Sequence, residues 1–390
     1  MPSAPLAPPQ SSCPPDWDLF CRVIDNLGDI GVCWRLARQL AAEHGLRVRL
    51  WVDALDSFRL LCPTVSAELS IQHRQGVEIR RWALDFPEVS PAAAVLETFA
   101  CHLPESFVER MAAQSPPPVW INLDYLSAEE WVSDWHALPS PHPRLPLVKH
   151  FFFPGFTRTT GGLLRERDLP TRRQEFAGSA AQQLALWNDI GFAPPPADTL
   201  LVSLFAYDKP AISDLLAAWE ASPAPICCLA PLAGALPAIE AHAGKALRAG
   251  DRFRRGALDL RILPFLEQSR YDELLWLCEL NFVRGEDSFV RAQWAARPMV
   301  WQIYPQQDEA HRRKLDAFLR RYCADLPVST ASALGDLWRA WNFERVTTMQ
   351  WKSFAASLGI LRQHARHWAG ELARQDDLCS RLLCFKASQL

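Results

Sequence analysis

Short apolar runs that end at a glycine-bearing loop and lead straight into an amphipathic helix recur in both halves of this chain. No other feature limits the fold as strongly. Residues 17–24 are apolar enough for a buried strand, 25–31 (Asp-Asn-Leu-Gly-Asp-Ile-Gly) form a loop, and 32–44 carry apolar side chains at helical spacing. Gly45 stands where a left-handed helix cap belongs. The next strand, 48–52, runs into Asp53. Strand, helix and strand in that order make a βαβ unit, the repeat of a doubly wound parallel sheet. Ligands of such sheets gather in the loops at the carboxyl ends of the strands. Strands at 77–82, 94–97 and 118–123 continue the series.

A second series starts after a change of texture between 140 and 196. Prolines cluster at 139–146, and the aromatic run 149–156 reads either as an exposed cluster that could receive a partner or as a buried end strand. Residues 174–190 read as a helix, and the prolines at 194–196 mark a boundary. Strands are then expected at 199–205, 224–229, 258–263, 281–283 and 299–303, with helices at 212–219 and 271–278. Two parallel sheets of similar design, one per half, leave a cleft between them. The expected layout is a disordered Pro-, Ser- and Ala-rich leader at 1–15, a first Rossmann-like domain at 16–175 and a second at 176–350. Helices at 351–390 would return over the first domain.

The formal net charge is −3 over 390 residues, which argues against binding nucleic acid mainly by electrostatics. No apolar run is long enough to span a membrane, and the N-terminus lacks a signal peptide's basic-then-apolar order. Eleven cysteines are present without a CxxC pair or a zinc spacing. Reduced thiols in a cytoplasmic protein without a metal site are therefore expected. The sixteen tryptophans fall mostly at core spacing and read as packing.

The stretch that promises chemistry is Arg284-Gly-Glu-Asp-Ser288, between the strand at 281–283 and a helical pattern through Phe289, Val290 and Trp294. Gly285 frees the backbone at the turn, and Asp287 or Ser288 occupies the position of an N-cap. The unpaired amides and positive end of such a helix form an anion site that fits a nucleotide diphosphate. Asp and Ser also begin many helices that hold no ligand. The loop at 25–31 spaces its glycines G-x-x-G, so the G-x-G-x-x-G dinucleotide fingerprint is missing. It offers two carboxylates where a phosphate binder would avoid them.

Four stretches together resemble the EarP family of bacterial protein-arginine rhamnosyltransferases: 23–32, 151–157 (Phe-Phe-Phe-Pro-Gly-Phe-Thr), 264–268 (Pro-Phe-Leu-Glu-Gln) and 283–292. The resemblance runs from about Trp17 to the C-terminus, with Leu27 standing where many relatives are expected to carry Tyr. It implies a GT-B fold, two Rossmann-like domains facing across a cleft, with the donor in the C-terminal domain and the acceptor on the N-terminal side. It further implies inverting transfer of L-rhamnose from dTDP-β-L-rhamnose to an arginine of elongation factor P, without a metal or other cofactor.

The chemistry can be weighed beside that resemblance. A guanidinium is a poor nucleophile because it stays protonated up to a pKa of about 12 or more. An enzyme that glycosylates it needs carboxylates to grip the cation and take a proton as the C–N bond forms. Asp25 and Asp29 lie on one loop at the carboxyl end of the first strand and could fork the guanidinium. The resemblance makes Asp29 the general base and Asp25 its support; the plain alternative is that Asp29 caps the following helix and Asp25 the turn. On the donor side, Phe205 and Tyr207 would sandwich the thymine or bind phosphate, Phe265 would stack on the base, and Gln268 would bond its edge. Arg284 would brace the loop or neutralise charge, Glu286 would take a hydroxyl of the nucleotide sugar, and Asp287 and Ser288 would offer backbone amides to the pyrophosphate. A GT-B enzyme using another nucleotide sugar and acceptor, and a non-catalytic nucleotide-sugar-binding module, are the alternative functions.

Overall fold

Alternating strands and helices of the first half close into one eight-stranded sheet. The computed structural model describes residues 14–25, 27–306 and 309–389, so most of the expected leader lies outside the described residues. In chain order the first half contains β1 (Trp17–Cys21), α1 (Gly28–His44), β2 (Val48–Val52), α2 (Leu55–Leu61), β3 (Ile71–Arg74), β4 (Val77–Arg81) and β5 (Ala94–Thr98). It continues with α3 (Glu105–Ala112), β6 (Val119–Leu123), α4 (Trp131–Trp135), β7 (Pro139–Pro141) and β8 (Val148–Phe152). The strand order is β3-β4-β2-β1-β5-β6-β8-β7, parallel except for the two antiparallel edge strands β3 and β7.

Two helices, α5 (Leu169–Gly178) and α6 (Ala180–Asp189), lead into the second sheet. One continuous helix was expected here. The break falls at Ser179, whose backbone turns extended while its hydroxyl accepts a bond from the Gln182 amide and so caps α6. The second series comprises β9 (Leu200–Leu204), α7 (Ala211–Glu220), β10 (Ile226–Pro231), α8 (Leu236–Ala243), β11 (Arg252–Arg255) and β12 (Leu258–Leu263). It is completed by α9 (Gln268–Leu277), β13 (Leu280–Arg284), α10 (Asp287–Ala295) and β14 (Met299–Gln302). These six strands run in the order β11-β12-β10-β9-β13-β14, with only β11 antiparallel.

The helical remainder is α11 (Ala310–Tyr322), α12 (Val328–Phe343), α13 (Thr348–Ala356), α14 (Leu358–Ala373) and α15 (Leu378–Ser388). In the last of these, Leu378, Cys379 and Leu382 are buried in the core of the first sheet, beside α1. Asp377 starts that helix by accepting the Cys379 and Ser380 amides. The aromatic run proves to be a strand near the sheet edge that is only partly buried: Val148 is exposed and Phe151 half-buried, while Phe152 at its end and Phe153 and Phe156 beyond it are inside. Trp131 and Trp135 of the short helix α4 depart from the packing expectation, at 44% and 56% exposed. All ten described cysteines are free. No helix among the described residues is long and apolar enough to cross a membrane.

What positions a site is the strand order. In the first sheet it reverses at β1, which lies between β2 and β5; in the second it reverses at β9, between β10 and β13. Crossover helices depart to opposite faces at such a point and leave a crevice beyond the strand ends. The loops after β1, β9 and β13 all open there, and they carry Asp25, Tyr207 and Glu286.

Candidate active site

The loop after β1 is shaped by its own carboxylates. β1 stops at Cys21, three residues short of the expected end, because the backbone leaves the ladder for side chains: Val23 N donates to Asp53 Oδ1 at 2.9 Å. Ile24 N and Asp25 N both donate to Asp29 Oδ2, at 2.8 and 2.9 Å. Helix α1 accordingly begins at Gly28, earlier than the expected 32, with Leu27 at the N-cap and no side-chain cap. Asp29 is therefore no helix cap; it folds back to hold the loop that presents Asp25. Gly28 is required by contact, since a Cβ there would sit 2.7 Å from Asp25 Oδ2.

The opposite wall comes from the turn between β13 and α10. Gly285 adopts φ +61°, and a Cβ on it would meet both Asp25 Oδ2 and the Tyr207 hydroxyl at 3.0 Å. The N-cap is Glu286, one residue before the position expected from the sequence, so Asp287 and Ser288 lie in the first turn. Ser288 turns its hydroxyl back to the loop, accepting from Arg284 N at 3.1 Å and donating to Arg284 O at 2.5 Å. The two halves touch directly where the hydroxyl of Tyr207, in the loop after β9, donates to Asp25 Oδ2 at 2.6 Å.

Two cavities adjoin at this contact and share Asp25 and Gly28. The first, about 560 Å³, is lined by Phe205, Phe265, Gln268, Tyr271, Arg284, Asp287 and Ser288, among others. Its surface is largely apolar and aromatic with a few polar groups, as a site for a flat base bearing phosphates requires. The Arg284 guanidinium lies over the rings of Phe205 and Tyr207, at 4.7 and 4.3 Å from their centroids. Gln268 is held on all sides by protein: its amide nitrogen donates to Gly31 O at 3.0 Å and Asp287 Oδ2 at 3.1 Å, and its oxygen accepts from Arg38 at 2.9 Å. To bond a base edge it must exchange one of these partners.

The second cavity, about 500 Å³, is lined by Asp29, Phe99, Tyr125, Glu286, Tyr304 and Lys314. Glu286 thus lies apart from Phe205, Phe265, Gln268, Arg284, Asp287 and Ser288, and the expected Tyr207 belongs to the lining of neither cavity. Neighbouring positions at a helix start point about 100° apart, so 286 and 287 face different cavities. Both Glu286 oxygens lie 3.1 Å from the Leu126 amide, which belongs to the first half. Burial pushes the Glu286 carboxyl up to about 8, against the lowering effect of Lys314 and the Leu126 amide. Burial likewise raises Asp29 to about 6, opposed by the two backbone amides it accepts. Asp29 is 3% exposed. A nearly dry carboxylate whose proton affinity lies just below neutrality, opening on a cavity, has the properties of a general base.

Sequence reasoning missed the ion network that joins the halves below the cavities. Arg35 of α1 forks Asp272 of α9 with both bonds at 3.0 Å and reaches Asp287 Oδ1 through Nε at 2.8 Å. Arg291 of α10 grips the same Asp272 at 2.9 and 2.7 Å and Glu166 at 2.6 Å. These partners lie up to 252 residues apart, and no local pattern announces them. Lys314, on the basic helix α11, and Tyr125 were missed for the same reason. Among the described residues no group of three or more His, Cys, Asp or Glu could hold a metal ion.

A family model described as "Elongation-Factor P (EF-P) rhamnosyltransferase EarP" matches residues 17–387. A protein-arginine rhamnosyltransferase from Pseudomonas putida is 47% identical over 375 residues, which cover 96% of this chain and 99% of that protein. A solved structure from work on EarP-mediated arginine glycosylation of translation elongation factor EF-P is 35% identical, with TM-score 0.68, covering 96% of this chain and 100% of the other. The UGT2 of Phytolacca americana shares the fold alone: TM-score 0.50 at 10% identity, over 97% of this chain and 99% of that one. The two-sheet architecture is the GT-B fold.

Proposed function

This chain belongs to the EarP family of protein-arginine rhamnosyltransferases, and from that premise we propose that it transfers L-rhamnose from dTDP-β-L-rhamnose to an arginine side chain of translation elongation factor P. The transfer inverts the anomeric centre and uses no metal. The observation that carries this reading is the pair Asp25 and Asp29, facing Glu286 across a cavity that adjoins a second, aromatic one.

In this reading the acceptor guanidinium enters the smaller cavity and is gripped by Asp25, which fixes one nitrogen in line with the anomeric carbon. The bond from that carbon to the dTDP oxygen breaks as the bond to nitrogen forms. The nitrogen becomes acidic as it binds carbon, and its proton passes to Asp29. A base near 6 is ionised at neutral pH and is strengthened by the surrounding low dielectric. Glu286, which lines the same cavity, acts on the transferred sugar rather than on the nucleotide. The larger cavity takes dTDP, with Phe265 stacked on thymine and Phe205 and Gln268 forming walls, while Tyr207 holds Asp25 and Arg284 at its edge. Arg284 and the amides at Asp287 and Ser288 stabilise the departing diphosphate.

The test is to incubate the protein with dTDP-rhamnose and elongation factor P and read intact mass. One added deoxyhexose, lost when the acceptor arginine is replaced by lysine, is the expected result. An unchanged mass refutes the proposal, and labelling from a UDP-sugar instead refutes its donor.

A further inference from the structure

The two carboxylates that line the larger cavity are each held from the opposite half of the molecule. Asp25, after β1, accepts the hydroxyl of Tyr207, after β9. Asp287, in the first turn of α10, accepts the Nε of Arg35, which α1 carries across from the first sheet. The second contact concerns charge. A nucleoside diphosphate is strongly anionic, and among the described residues lining this cavity Arg284 is the only cation. An unpaired Asp287 carboxylate at the start of α10 would repel that anion and cancel the positive potential of the helix end.

The arrangement around Arg35 is built on one face of α1. Gly31, one turn earlier, lets the helix approach: a Cβ there would lie 3.1 Å from Asp287 Oδ2 and 3.3 Å from Gln268 Nε2. Arg38, one turn later, holds the Gln268 oxygen. Positions 31, 35 and 38 follow the i, i+4, i+7 spacing that shares a helix face. Arg35 itself is 2% exposed, and its guanidinium plane is set by the two bonds to Asp272, which Arg291 grips from the other side.

We propose that Arg35 is a positioning residue for the donor: from the acceptor-side helix it neutralises and aims Asp287, so that the end of α10 accepts a nucleoside diphosphate. The inference rests on the reading that this cavity binds dTDP. It also makes the helix that carries Asp29 the element that orders the donor site, so the base and the leaving-group site are fixed by one rigid body.

The experiment compares equilibrium binding of dTDP and of thymidine to the wild type, Arg35→Gln, Arg35→Lys and the double variant Arg35→Gln/Asp287→Asn. Thermal melts and KM for both substrates are measured alongside. A wild type that does not bind dTDP sinks the donor reading itself, independently of the variants. Given wild-type binding, Arg35→Gln should weaken dTDP about tenfold or more while thymidine changes by less than about threefold, since only the diphosphate feels the released charge. Donor KM should rise and acceptor KM should hold. The double variant should recover most of the dTDP affinity, because the charge that Arg35 neutralised is gone. Equal losses for dTDP and thymidine, no loss, or a double variant no tighter than Arg35→Gln would overturn the proposal. If Arg35→Gln does not fold, Arg35→Lys decides. It keeps the charge but cannot fork Asp272 and reach Asp287 together, so dTDP should weaken severalfold with thymidine unchanged; both unchanged, or both equally weakened, would overturn it.

Discussion

Asp29 does two things with one carboxylate: it accepts the Ile24 and Asp25 amides that shape the loop, and it opens on the cavity where a guanidinium would lie. Asp29→Asn separates these, because the amide oxygen can still accept both bonds but cannot take a proton. Rhamnosyl transfer should fall by about 10²- to 10⁴-fold, with dTDP affinity nearly unchanged. A variant with near-normal turnover would reduce Asp29 to a loop brace. The pH dependence follows from the same group. Its folded pKa of about 6 lies above the 3.8 of a free aspartate, so the native state binds the extra proton between those values. The stability linked to it is fully present below about 4 and is lost as pH rises through about 6. Activity should run the opposite way, rising through about pH 6 as the base ionises. Glu286, held near 8, should add a second inflection there that Glu286→Gln removes. A pH–rate profile flat from 5 to 9 would contradict both assignments.

Helices α1 and α15 pack against each other in the core of the first sheet. The sequence marks α1 as an ordinary amphipathic helix, yet Asp29, Arg35 and Arg38 put three functional contacts on it. The helix needs a backing, and α15 supplies it through Leu378, Cys379 and Leu382, all at or below 1% exposed. Burial of a large apolar side chain stabilises by about 1.5–3 kcal/mol, so losing this helix removes about 5 kcal/mol from a net stability of about 5–15 kcal/mol. A chain ended after residue 374 should melt about 6 °C lower and lose transfer activity as α1 loosens. A truncated protein with wild-type melting and turnover would show that α15 is an ornament on the first sheet.

For the whole molecule, the predicted signature is thermodynamic. Both cavities lie between the two sheets, and contacts such as Leu126 to Glu286 and Tyr207 to Asp25 cross from one half to the other. A ligand filling the larger cavity stabilises only the folded, closed arrangement. At a hundredfold excess over its dissociation constant, dTDP should add about 2.7 kcal/mol, and UDP or GDP should raise the melting temperature less at equal concentration. Equal shifts for the three nucleotides would remove thymine recognition by Phe265 from the proposal. Chelation with EDTA should leave turnover unchanged; activity lost to EDTA and restored by magnesium would refute the metal-free reading.

The alternation of apolar strands and amphipathic helices by itself determined two parallel sheets, because side-chain period and crossover length leave a chain few other ways to bury those faces. Glycine spacing located the two turns, since turns are local events, but not the helix starts: α1 begins at Gly28, not 32, and Glu286 rather than Asp287 is the N-cap of α10. Tertiary structure alone decided where the carboxylates at 25, 29 and 286 point. Asp29 folds back onto its own loop rather than capping α1, and Glu286 and Asp287 part into different cavities although they are adjacent in the chain. The pairing of Arg35 with Asp272 and Asp287 was beyond any local reading. Charges 237 and 252 residues apart meet only when two separately folded sheets dock, and the energy that selects such partners is desolvation in the closed interface, which no stretch of sequence contains.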